Sequence, residues 1–528
     1  MKLQRAMATV AGMTAISRVL GFLRDILTAV VLGAGPIADV FVVALKLPNF
    51  FRRITAEGAF SVSFVPLYSE AMEKEGREAA DRFAGNAMVV MFWGLLAFTV
   101  FIIAFMPGVI SLIAPGFHKD PARFEMAVTL SRITFPYLLM MSIASLMGGV
   151  LNAHNRFAPF AAAPIFFNLA LIALLLFAWF FKASAALALA WGVLIAGILQ
   201  FVFLFFYIKR EGIALPLGRP RFDERTKRLF KLMGPGAIGA GIVQINLFAD
   251  MIIGSFLAAG SISYLYYADR LNQLPLSTVG IAVGVALLPM LSRALGAGKK
   301  DEAHNLFNRA LEITLFLGLP AAVGLFVLAH PIIDTLFQHG NFTKEAANKT
   351  AFVLQGYVVG LPAYIGVKVF SSVFWSQQDT LTPVKVAAIS ALANIALALS
   401  LIPFFGVAGI ALSTGIIGWL QIYLLYRPLK GHEVAHFDAR FKSSLPKIVL
   451  SSTTMGGVLF GLSLLLESWL HGGGLLQGAA LGILIFIGMV IYGACIFGTG
   501  ALSVADVKGA FRKTKDVDTN DVQIETPQ

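Results

Sequence analysis

Residues 158–181 read APFAAAPIFFNLALIALLLFAWFF and contain no charged side chain. A helix needs about 20 mostly apolar residues to cross a bilayer, so this stretch is predicted to be a transmembrane helix. Similar stretches recur along the whole 528-residue chain, which is 58% hydrophobic and only 13% charged. A soluble protein carries about 25% charged residues. The composition therefore excludes a soluble globular protein and predicts an all-α, polytopic membrane protein.

Apolar windows of this length predict about 14 transmembrane helices. The first window follows Lys2 and Arg5 as in a signal peptide, but it contains charged residues and lacks a small-residue cleavage motif, so we interpret it as a retained helix. Pro48 and Pro275 interrupt the second and eighth windows and are expected to kink those helices. The predicted spans are 8–32, 37–68, 84–113, 124–151, 158–181, 185–207, 232–257, 262–292, 310–329, 350–375, 385–402, 406–426, 447–466 and 474–500.

The lysine and arginine residues predict the orientation of these spans. If the N-terminus is cytoplasmic, that side holds roughly 28 of the 41 basic residues and the opposite side about five. The largest cytoplasmic cluster lies between the sixth and seventh spans, within residues 209–231. Both termini are therefore predicted to be cytoplasmic. The net charge of +12 then reflects topology and attraction to an anionic leaflet, so nucleic acid is not expected as a partner.

An internal repeat divides the chain. Residues 59–71 read AFSVSFVPLYSEA and residues 282–294 read AVGVALLPMLSRA, so that Pro66 and Pro289 coincide. The repeat predicts two six-helix lobes, followed by two further helices, and duplicated lobes are typical of alternating-access transporters. The predicted parts are an N-lobe (1–210), a basic cytoplasmic linker (211–231), a C-lobe (232–430), a cytoplasmic loop (431–446), the last two helices (447–507) and a disordered tail (508–528).

Apart from Lys385 and Lys447, which are the first residues of their spans, eight basic residues fall inside the predicted spans. A charged side chain at mid-bilayer costs about 2.5–3.5 kcal/mol, so these side chains are expected to face a protein interior or a wet cavity. Arg132 and Lys368 lie nearer the span ends and are expected to extend toward the interface. The other six are Arg18, Arg24, Lys46, Arg52, Arg53 and Arg270.

Polar residues share helix faces with these cations. In the first span Ser17 precedes Arg24 by one heptad, and Arg18 precedes Asp25 by the same spacing. The second span carries a stripe made of Asp39, Lys46, Asn49, Arg53 and Glu57, with Arg52 beside it. Internal salt bridges that fix helix packing are the alternative explanation, but the acids are too few to neutralise all the arginines. A net-positive interior predicts an anionic ligand, and the guanidinium fork suits phosphate.

The sequence contains no P-loop motif, so transport is expected to use an ion, the membrane potential or a downhill substrate. No cofactor is predicted. Asp250, Asp379 and Asn394 could form an oxygen site for a monovalent cation, although polar packing is the alternative for these residues. The single cysteine, Cys495, excludes an internal disulfide.

Residues 432–436 read HEVAH and match the zinc-protease motif HExxH. In such enzymes two histidines on one helix bind zinc and the glutamate is the general base. Here His432, Glu433 and His436 follow Pro428 and Gly431 in a predicted cytoplasmic connection, where a firm helix is not expected. A solvated loop is therefore favoured over a metal site.

Several motifs resemble those of the MurJ (MviN) family of bacterial lipid II flippases, and the resemblance covers essentially the whole chain. They are SRVLGFLRD at 17–25, LPNFFRRITAEGAF at 47–60, Val65-Pro66, YADRL at 267–271 and QDTLTP at 378–383. This family belongs to the multidrug/oligosaccharidyl-lipid/polysaccharide exporter superfamily. The resemblance implies fourteen helices around a central cavity between two lobes.

The resemblance also implies a substrate and a site. The substrate would be lipid II, an undecaprenyl-diphosphate-linked disaccharide-pentapeptide, moved from the cytoplasmic to the periplasmic leaflet of the inner membrane for cell-wall synthesis, and cell-wall synthesis proteins would be potential partners. The family's cavity arginines correspond to Arg18, Arg24, Arg52 and Arg270, and its neighbouring polar residues to Ser17, Asp25, Asp39, Asn49 and Glu57.

Four other functions remain as alternatives. A polysaccharide-lipid flippase would use the same architecture. A multidrug antiporter is disfavoured because a cavity for cationic drugs should be acidic. A membrane zinc protease would depend on the HEVAH motif, and a scaffold that does not transport has no supporting sequence feature.

Overall fold

The structure is a computed structural model that describes residues 2–53, 59–431 and 433–501. In these ranges all regular secondary structure is helical, with one 3-10 turn at Pro115–Lys119 and no strand. The predicted all-α fold class is therefore confirmed. The predicted disordered tail, 508–528, lies outside the described residues.

Twenty α-helices follow one another along the described part of the chain. The first ten are α1 (Lys2–Leu32), α2 (Pro36–Arg52), α3 (Ala59–Glu75), α4 (Arg77–Ala104), α5 (Met106–Ile113), α6 (Pro121–Thr134), α7 (Tyr137–Ala153), α8 (Ala158–Phe181), α9 (Ala185–Arg210) and α10 (Glu224–Phe256). The others are α11 (Ser261–Gly296), α12 (Lys300–Val327), α13 (Ala329–Phe337), α14 (Lys344–Val358), α15 (Leu361–Ser376), α16 (Leu381–Phe405), α17 (Ala408–Leu429), α18 (Ala439–Leu465), α19 (Glu467–Leu470) and α20 (Gly474–Gly498).

Ten helical stretches in the described residues are long and apolar enough to cross a membrane. Two of them, Pro121–Ala153 and Lys344–Ser376, each combine two consecutive helices. The chain is a multi-pass membrane protein. The total of 14 spans stays a prediction.

Prolines account for the points where two predicted spans are interrupted. The span predicted at 124–151 is divided at 135–136, because Pro136 directly precedes α7. The span predicted at 350–375 is divided at 359–360, and Pro362 lies in the first turn of α15. Proline lacks a backbone N–H and is tolerated in a first helical turn, where that donor has no partner. By contrast, α2 and α11 continue past Pro48 and Pro275.

The chain divides into two compact units. The first comprises Met1–Arg270, Leu336–Val353 and Ala387–Ile410, and the second comprises Leu271–Thr335, Leu354–Val386 and Ala411–Gln528. One boundary between them therefore lies inside α11, directly after Arg270. The two lobes predicted from the internal repeat stay a prediction.

In the first unit, aromatic rings join α3 to α4. Phe64 stacks on Phe60 and on Phe83, with ring centroids 4.9 and 5.6 Å apart. The buried Tyr68 continues this stack and contacts the Asp81 carboxylate through its hydroxyl at 2.8 Å. Burying such rings removes a large apolar area from solvent, so the stack stabilises this end of the unit.

In the second unit, the cytoplasmic side of the predicted topology combines an apolar cluster with a charge network. Phe307, Val373 and Leu425 are buried members of the cluster on α12, α15 and α17. Beside it, Arg309 forms ion pairs with both Glu312 and Asp438. Asp438 also caps α18 by accepting a hydrogen bond from the Phe441 N–H at 2.6 Å.

The end of α1 is held by a segment near residue 341. The Asn341 N–H donates to the Val30 carbonyl at 2.9 Å, and its side-chain amide donates to the Val31 carbonyl at 2.6 Å. The last carbonyls of a helix have no partner within the helix, so Asn341 supplies the missing donors. Gly33 (φ 76°) and Gly340 (φ 56°) allow this close approach, since a Cβ at Gly33 would lie 2.5 Å from the Asn341 carbonyl oxygen.

Gly33→Ala is expected to lower the melting temperature of the purified protein in detergent. Alanine is unfavourable at the positive φ of this position, and its methyl group would clash with the Asn341 carbonyl oxygen. Such strain costs on the order of 1–3 kcal/mol. Gly35→Ala is the matched control, since Gly35 has extended backbone (φ −179°) and open space around it. Equal melting temperatures for the two variants would contradict the prediction.

Candidate functional site

Asp25 on α1 joins side chains from two helices. Its Oδ1 accepts hydrogen bonds from Arg24, at 3.2 Å from Nε and 2.7 Å from Nη2, and from the Tyr266 hydroxyl of α11 at 3.0 Å. Its Oδ2 lies 3.5 Å from Nε of Arg270. Arg24 and Asp25 are buried, whereas the Arg270 side chain is 35% exposed. One carboxylate is therefore shared by two guanidinium groups, and Asp269 also attracts Arg270 electrostatically.

Asn168 on α8 fixes Arg24 from the other side. Nη1 of Arg24 donates to Oδ1 of Asn168 at 2.9 Å, and Nδ2 of Asn168 donates to the Ser17 carbonyl at 2.9 Å. The Ser17 hydroxyl lies 3.4 Å from the same nitrogen. Sequence reasoning missed Asn168, although it is the one polar side chain in the apolar stretch 158–181. That isolation was the available signal.

Aromatic rings lie against both guanidinium groups. Cζ of Arg270 lies 4.6 Å from the ring centroid of Tyr266, and Cζ of Arg24 lies 5.5 Å from that of Phe167. Tyr266 precedes Arg270 by four residues, so both lie on one face of α11. The ring faces attract the cations and exclude water from part of their surface.

Three further predicted site residues lie at the end of α2. Nε of Arg52 donates to Oδ1 of Asn49 at 3.1 Å, and Nδ2 of Asn49 donates to the Leu45 carbonyl at 2.8 Å. Nη1 of Arg53 donates to Oε1 of Gln244 on α10 at 3.3 Å. Arg52 is half-buried and Arg53 is exposed. Glu57, predicted on the same stripe, lies outside the described residues.

Positive charge exceeds negative charge on these helices. Lys46 is half-buried on α2, and the acids that act on it are Asp269 and Asp250. Arg18 is exposed on α1 and has no hydrogen bond or ion pair with any described residue. The described cations of the candidate site are Arg18, Arg24, Lys46, Arg52, Arg53 and Arg270, and the acids near them are Asp25, Asp250 and Asp269.

Asp39 has a different environment from the one predicted. It is fully buried, and its carboxylate pairs with Arg123 on α6 at 2.5 Å. It also accepts hydrogen bonds at 2.7 Å from the N–H groups of Gly260 and Ser263 and at 2.5 Å from the Ser263 hydroxyl. These donors come from the start of α11, so Asp39 caps that helix and both its oxygens are occupied. These contacts stabilise the helix junction, and a role for Asp39 in ligand binding stays a prediction.

The two basic residues expected to extend toward the interface differ from each other. Arg132 is exposed, and its Nε donates to the Ile103 carbonyl at 3.2 Å. Lys368 is instead half-buried on α15, with its ammonium group next to Gly280 of α11. Neither residue contributes to the group around Asp25.

Comparison with known proteins identifies the family. Residues 28–478 match the family model described as "Lipid II flippase MurJ". The chain is also 41% identical over 521 residues to the "Probable lipid II flippase MurJ" of Rhizobium meliloti (strain 1021), covering 97% of each chain. The chain belongs to the MurJ family. This confirms the family resemblance drawn from the motifs.

Solved structures agree with membership of the MurJ family. One titled "Lipid II flippase MurJ, inward closed conformation" matches with a TM-score of 0.77 and 28% identity, over 92% of this chain and 97% of that chain. A multidrug resistance MATE family transporter of the MOP superfamily in an inward-facing conformation matches with a TM-score of 0.66 and 14% identity, over 80% and 98% of the two chains, and shows the fold alone. Because the MurJ family consists of flippases, the chain is a transporter rather than an enzyme.

The residues proposed for a cation site are not brought together by the contacts described. Asp379 caps α16, accepting hydrogen bonds from the N–H groups of Leu381 and Thr382 and, at 2.6 Å, from the Thr382 hydroxyl. Thr382 thereby holds the pKa of Asp379 below its usual range. Asp250 and the buried Asn394 belong to the first unit, whereas Asp379 belongs to the second. The cation site stays a prediction.

The HEVAH motif adopts no helix over its described residues. Glu433 forms an ion pair with Lys300, and the ring of His436 stacks on that of His304 with centroids 3.7 Å apart. His432 lies outside the described residues. Zinc proteases need both histidines on one helix face, and the described residues contain no group of three or more metal-binding side chains. Membership of the MurJ family argues against the protease alternative.

Proposed function

We propose that the chain is a lipid II flippase, which moves an undecaprenyl-diphosphate-linked peptidoglycan precursor from the cytoplasmic to the periplasmic leaflet of the bacterial inner membrane. Its family membership and the names of its relatives support this substrate. The observation that carries the proposal is the sharing of Asp25 by Arg24 and Arg270. Guanidinium groups inside an apolar helix bundle are costly unless they are neutralised or an anion binds there, and the described cations of this site outnumber the acids near them.

The diphosphate group is the part of the substrate that this site would bind. Guanidinium groups bind phosphate through paired hydrogen bonds, which are shorter and stronger than neutral ones. Arg24 is held in place by Asp25 and Asn168, so little conformational entropy is lost when an anion binds. The proposed diphosphate ligands are Arg18, Arg24, Arg52 and Arg270, with Ser17, Asn49 and Arg53 beside them.

Transport by alternating access would move this cationic site between the two sides of the membrane. An inside-negative potential of 100 mV is worth about 2.3 kcal/mol per elementary charge. It favours outward passage of an anionic headgroup and inward return of an emptied, positively charged site. The polyprenyl tail would remain in lipid. In this proposal both termini are cytoplasmic.

Depletion of the protein in its bacterial host tests the proposed function. Lipid II is expected to accumulate on the inner face of the membrane within a few generations, because its outward passage stops while its synthesis continues. Accessibility of lipid II to a probe added outside intact spheroplasts measures this directly. Re-expression of the chain is the control and should restore access.

A vesicle assay separates the proposal from its main alternative. The purified protein is expected to translocate lipid II. A polyprenyl-diphosphate oligosaccharide without the pentapeptide is tested beside it. Faster transport of this oligosaccharide than of lipid II would identify a polysaccharide-lipid flippase. Unchanged exposure of lipid II in depleted cells would contradict the proposed function.

A further inference from the structure

A cavity of about 650 Å³ lies between the ends of α4 and α9, and its lining includes none of the arginine-site residues. We name it the α4–α9 pocket. Its walls are largely apolar and include Met88, Phe205, Ile208 and Leu215. Pockets of 300–1,000 Å³ with apolar walls and a few polar groups are the usual size for bound small molecules. Nothing in the proposed transport cycle uses this pocket.

The outer wall of the pocket is a loop held firmly by α4. Gly85 of α4 lies so close to Pro216 that a Cβ would approach the Pro216 carbonyl oxygen to 2.5 Å. The side chain of the neighbouring Asn86 bonds to the backbone of Arg221. Its Oδ1 accepts from the Arg221 N–H at 2.9 Å, and its Nδ2 donates to the Arg221 carbonyl at 2.6 Å. The loop is therefore held in place by these contacts with α4.

The pocket lining carries two cations, Arg82 and Lys209, and two carboxylates, Glu78 and Asp81. The Asp81 carboxylate is occupied by the Tyr68 hydroxyl and by Arg77, at 2.8 and 3.7 Å. Lys209 has its ammonium 4.9 Å from the Phe205 ring and pairs with no carboxylate of the described residues. Arg82 is exposed, and its Nη1 lies 3.9 Å from Oε2 of the highly exposed Glu78. Such an exposed ion pair contributes little to stability. Arg82 and Lys209 both line the pocket.

The position of the pocket specifies the kind of ligand. Both α4 and α9 are long and apolar enough to cross the membrane, and the pocket is formed by the polar ends of these spans. Leu217, at the pocket wall, is 66% exposed, which suits contact with lipid rather than with water. Cationic side chains at the ends of transmembrane helices on the predicted cytoplasmic side can bind phospholipid headgroups.

We propose that the α4–α9 pocket binds a membrane glycerophospholipid, with the phosphodiester held by Arg82 and Lys209 and an acyl chain against the apolar wall. This is a second lipid site, separate from the one that would hold the transported substrate. The shared chemistry is the phosphodiester, which phosphatidylglycerol and phosphatidylethanolamine both carry.

Native mass spectrometry of the purified full chain tests the proposal. The protein in detergent is titrated with phosphatidylglycerol, phosphatidylethanolamine or diacylglycerol of equal acyl composition. The double variant Arg82→Ala/Lys209→Ala is expected to lose about tenfold or more in affinity for both phospholipids, since each charge-assisted hydrogen bond is substantial. Diacylglycerol, which lacks the phosphate, is expected to bind weakly to every variant.

The control removes the same charge from outside the pocket. Arg210→Ala/Lys227→Ala takes two cations from the same basic region, at α9 and α10, that do not line the pocket. It is expected to retain phospholipid as the unaltered protein does. Equal lipid loss in the two double variants, or diacylglycerol binding as tight as phospholipid binding, would overturn the proposal. Because binding is measured directly, the result is independent of whether lipid II is the transported substrate.

Discussion

Arg270→Ala is expected to reduce lipid II transport at least about a hundredfold while the protein remains folded in the membrane. Replacing Arg270 removes two or more charge-assisted hydrogen bonds to a bound phosphate, each worth about 1.5–3 kcal/mol. Asp25 keeps Arg24 as its partner at 2.7 Å, so no buried carboxylate is left uncompensated. Transport of lipid II into the outer leaflet of vesicles gives the rate, and the amount of protein in the membrane gives the control for folding.

Replacing Arg270 tests ligand binding more directly than replacing Arg24, because Asp25 keeps a close partner only in the first case. Without Arg24, Asp25 would have only the longer 3.5 Å contact with Arg270, and instability would be mixed with loss of binding. Arg132→Ala is the matched control, because this exposed arginine of α6 contacts only the Ile103 carbonyl in the described contacts. Transport by Arg270→Ala at the rate of Arg132→Ala would refute the cationic site.

Arg123→Ala is expected to destabilise the protein by about 3–5 kcal/mol, because it leaves Asp39 fully buried with its charge uncompensated. The loss should appear as a large fall in the temperature at which helical circular dichroism disappears in detergent. The remaining hydrogen bonds from Gly260 and Ser263 satisfy the oxygens of Asp39 but carry no positive charge.

Two further variants separate charge from packing. Lys119→Ala removes an exposed cation close in sequence and is expected to change the melting temperature little. The double variant Asp39→Asn/Arg123→Gln removes both charges and should be more stable than Arg123→Ala, since no unpaired ion remains buried. A melting temperature for Arg123→Ala close to that of Lys119→Ala would show that the pair does not stabilise the fold.

Much of the fold was predictable because apolar windows follow directly from the thickness of a bilayer. The window 158–181 coincides with α8, and the window 474–500 differs from α20 only at its last residues. The breaks within spans were harder to predict. Pro136 ends one helix whereas α11 continues past Pro275, and an isolated proline does not reveal which will happen, because the outcome depends on how neighbouring helices satisfy the freed carbonyl.

The sequence predicted the charged side chains of the site but not the residues that form hydrogen bonds with them. The cost of placing a charge in a membrane singled out Arg24 and Arg270, together with four other cations, from their positions inside apolar windows. Asn168 and Tyr266 were missed because they approach Arg24 and Asp25 from helices distant in sequence. The partners of Asp39 were missed for a related reason. Its heptad spacing from Lys46 describes one helix, whereas Arg123 and Ser263 approach it from two others.

The first turns of α11 form three hydrogen bonds with α1, α2 and the residue between them. They join Ser263 to Asp39 of α2, Tyr266 to Asp25 of α1, and Tyr267 to the Gly33 carbonyl. Just beyond Arg270, the ring of Pro275 removes the hydrogen bond that the Leu271 carbonyl would otherwise accept. The start of α11 is therefore held by these contacts, whereas the helix is easier to bend at Pro275, where a hydrogen bond is missing. Bending at Pro275 would change the direction of the rest of the helix while Arg270 stays beside Asp25.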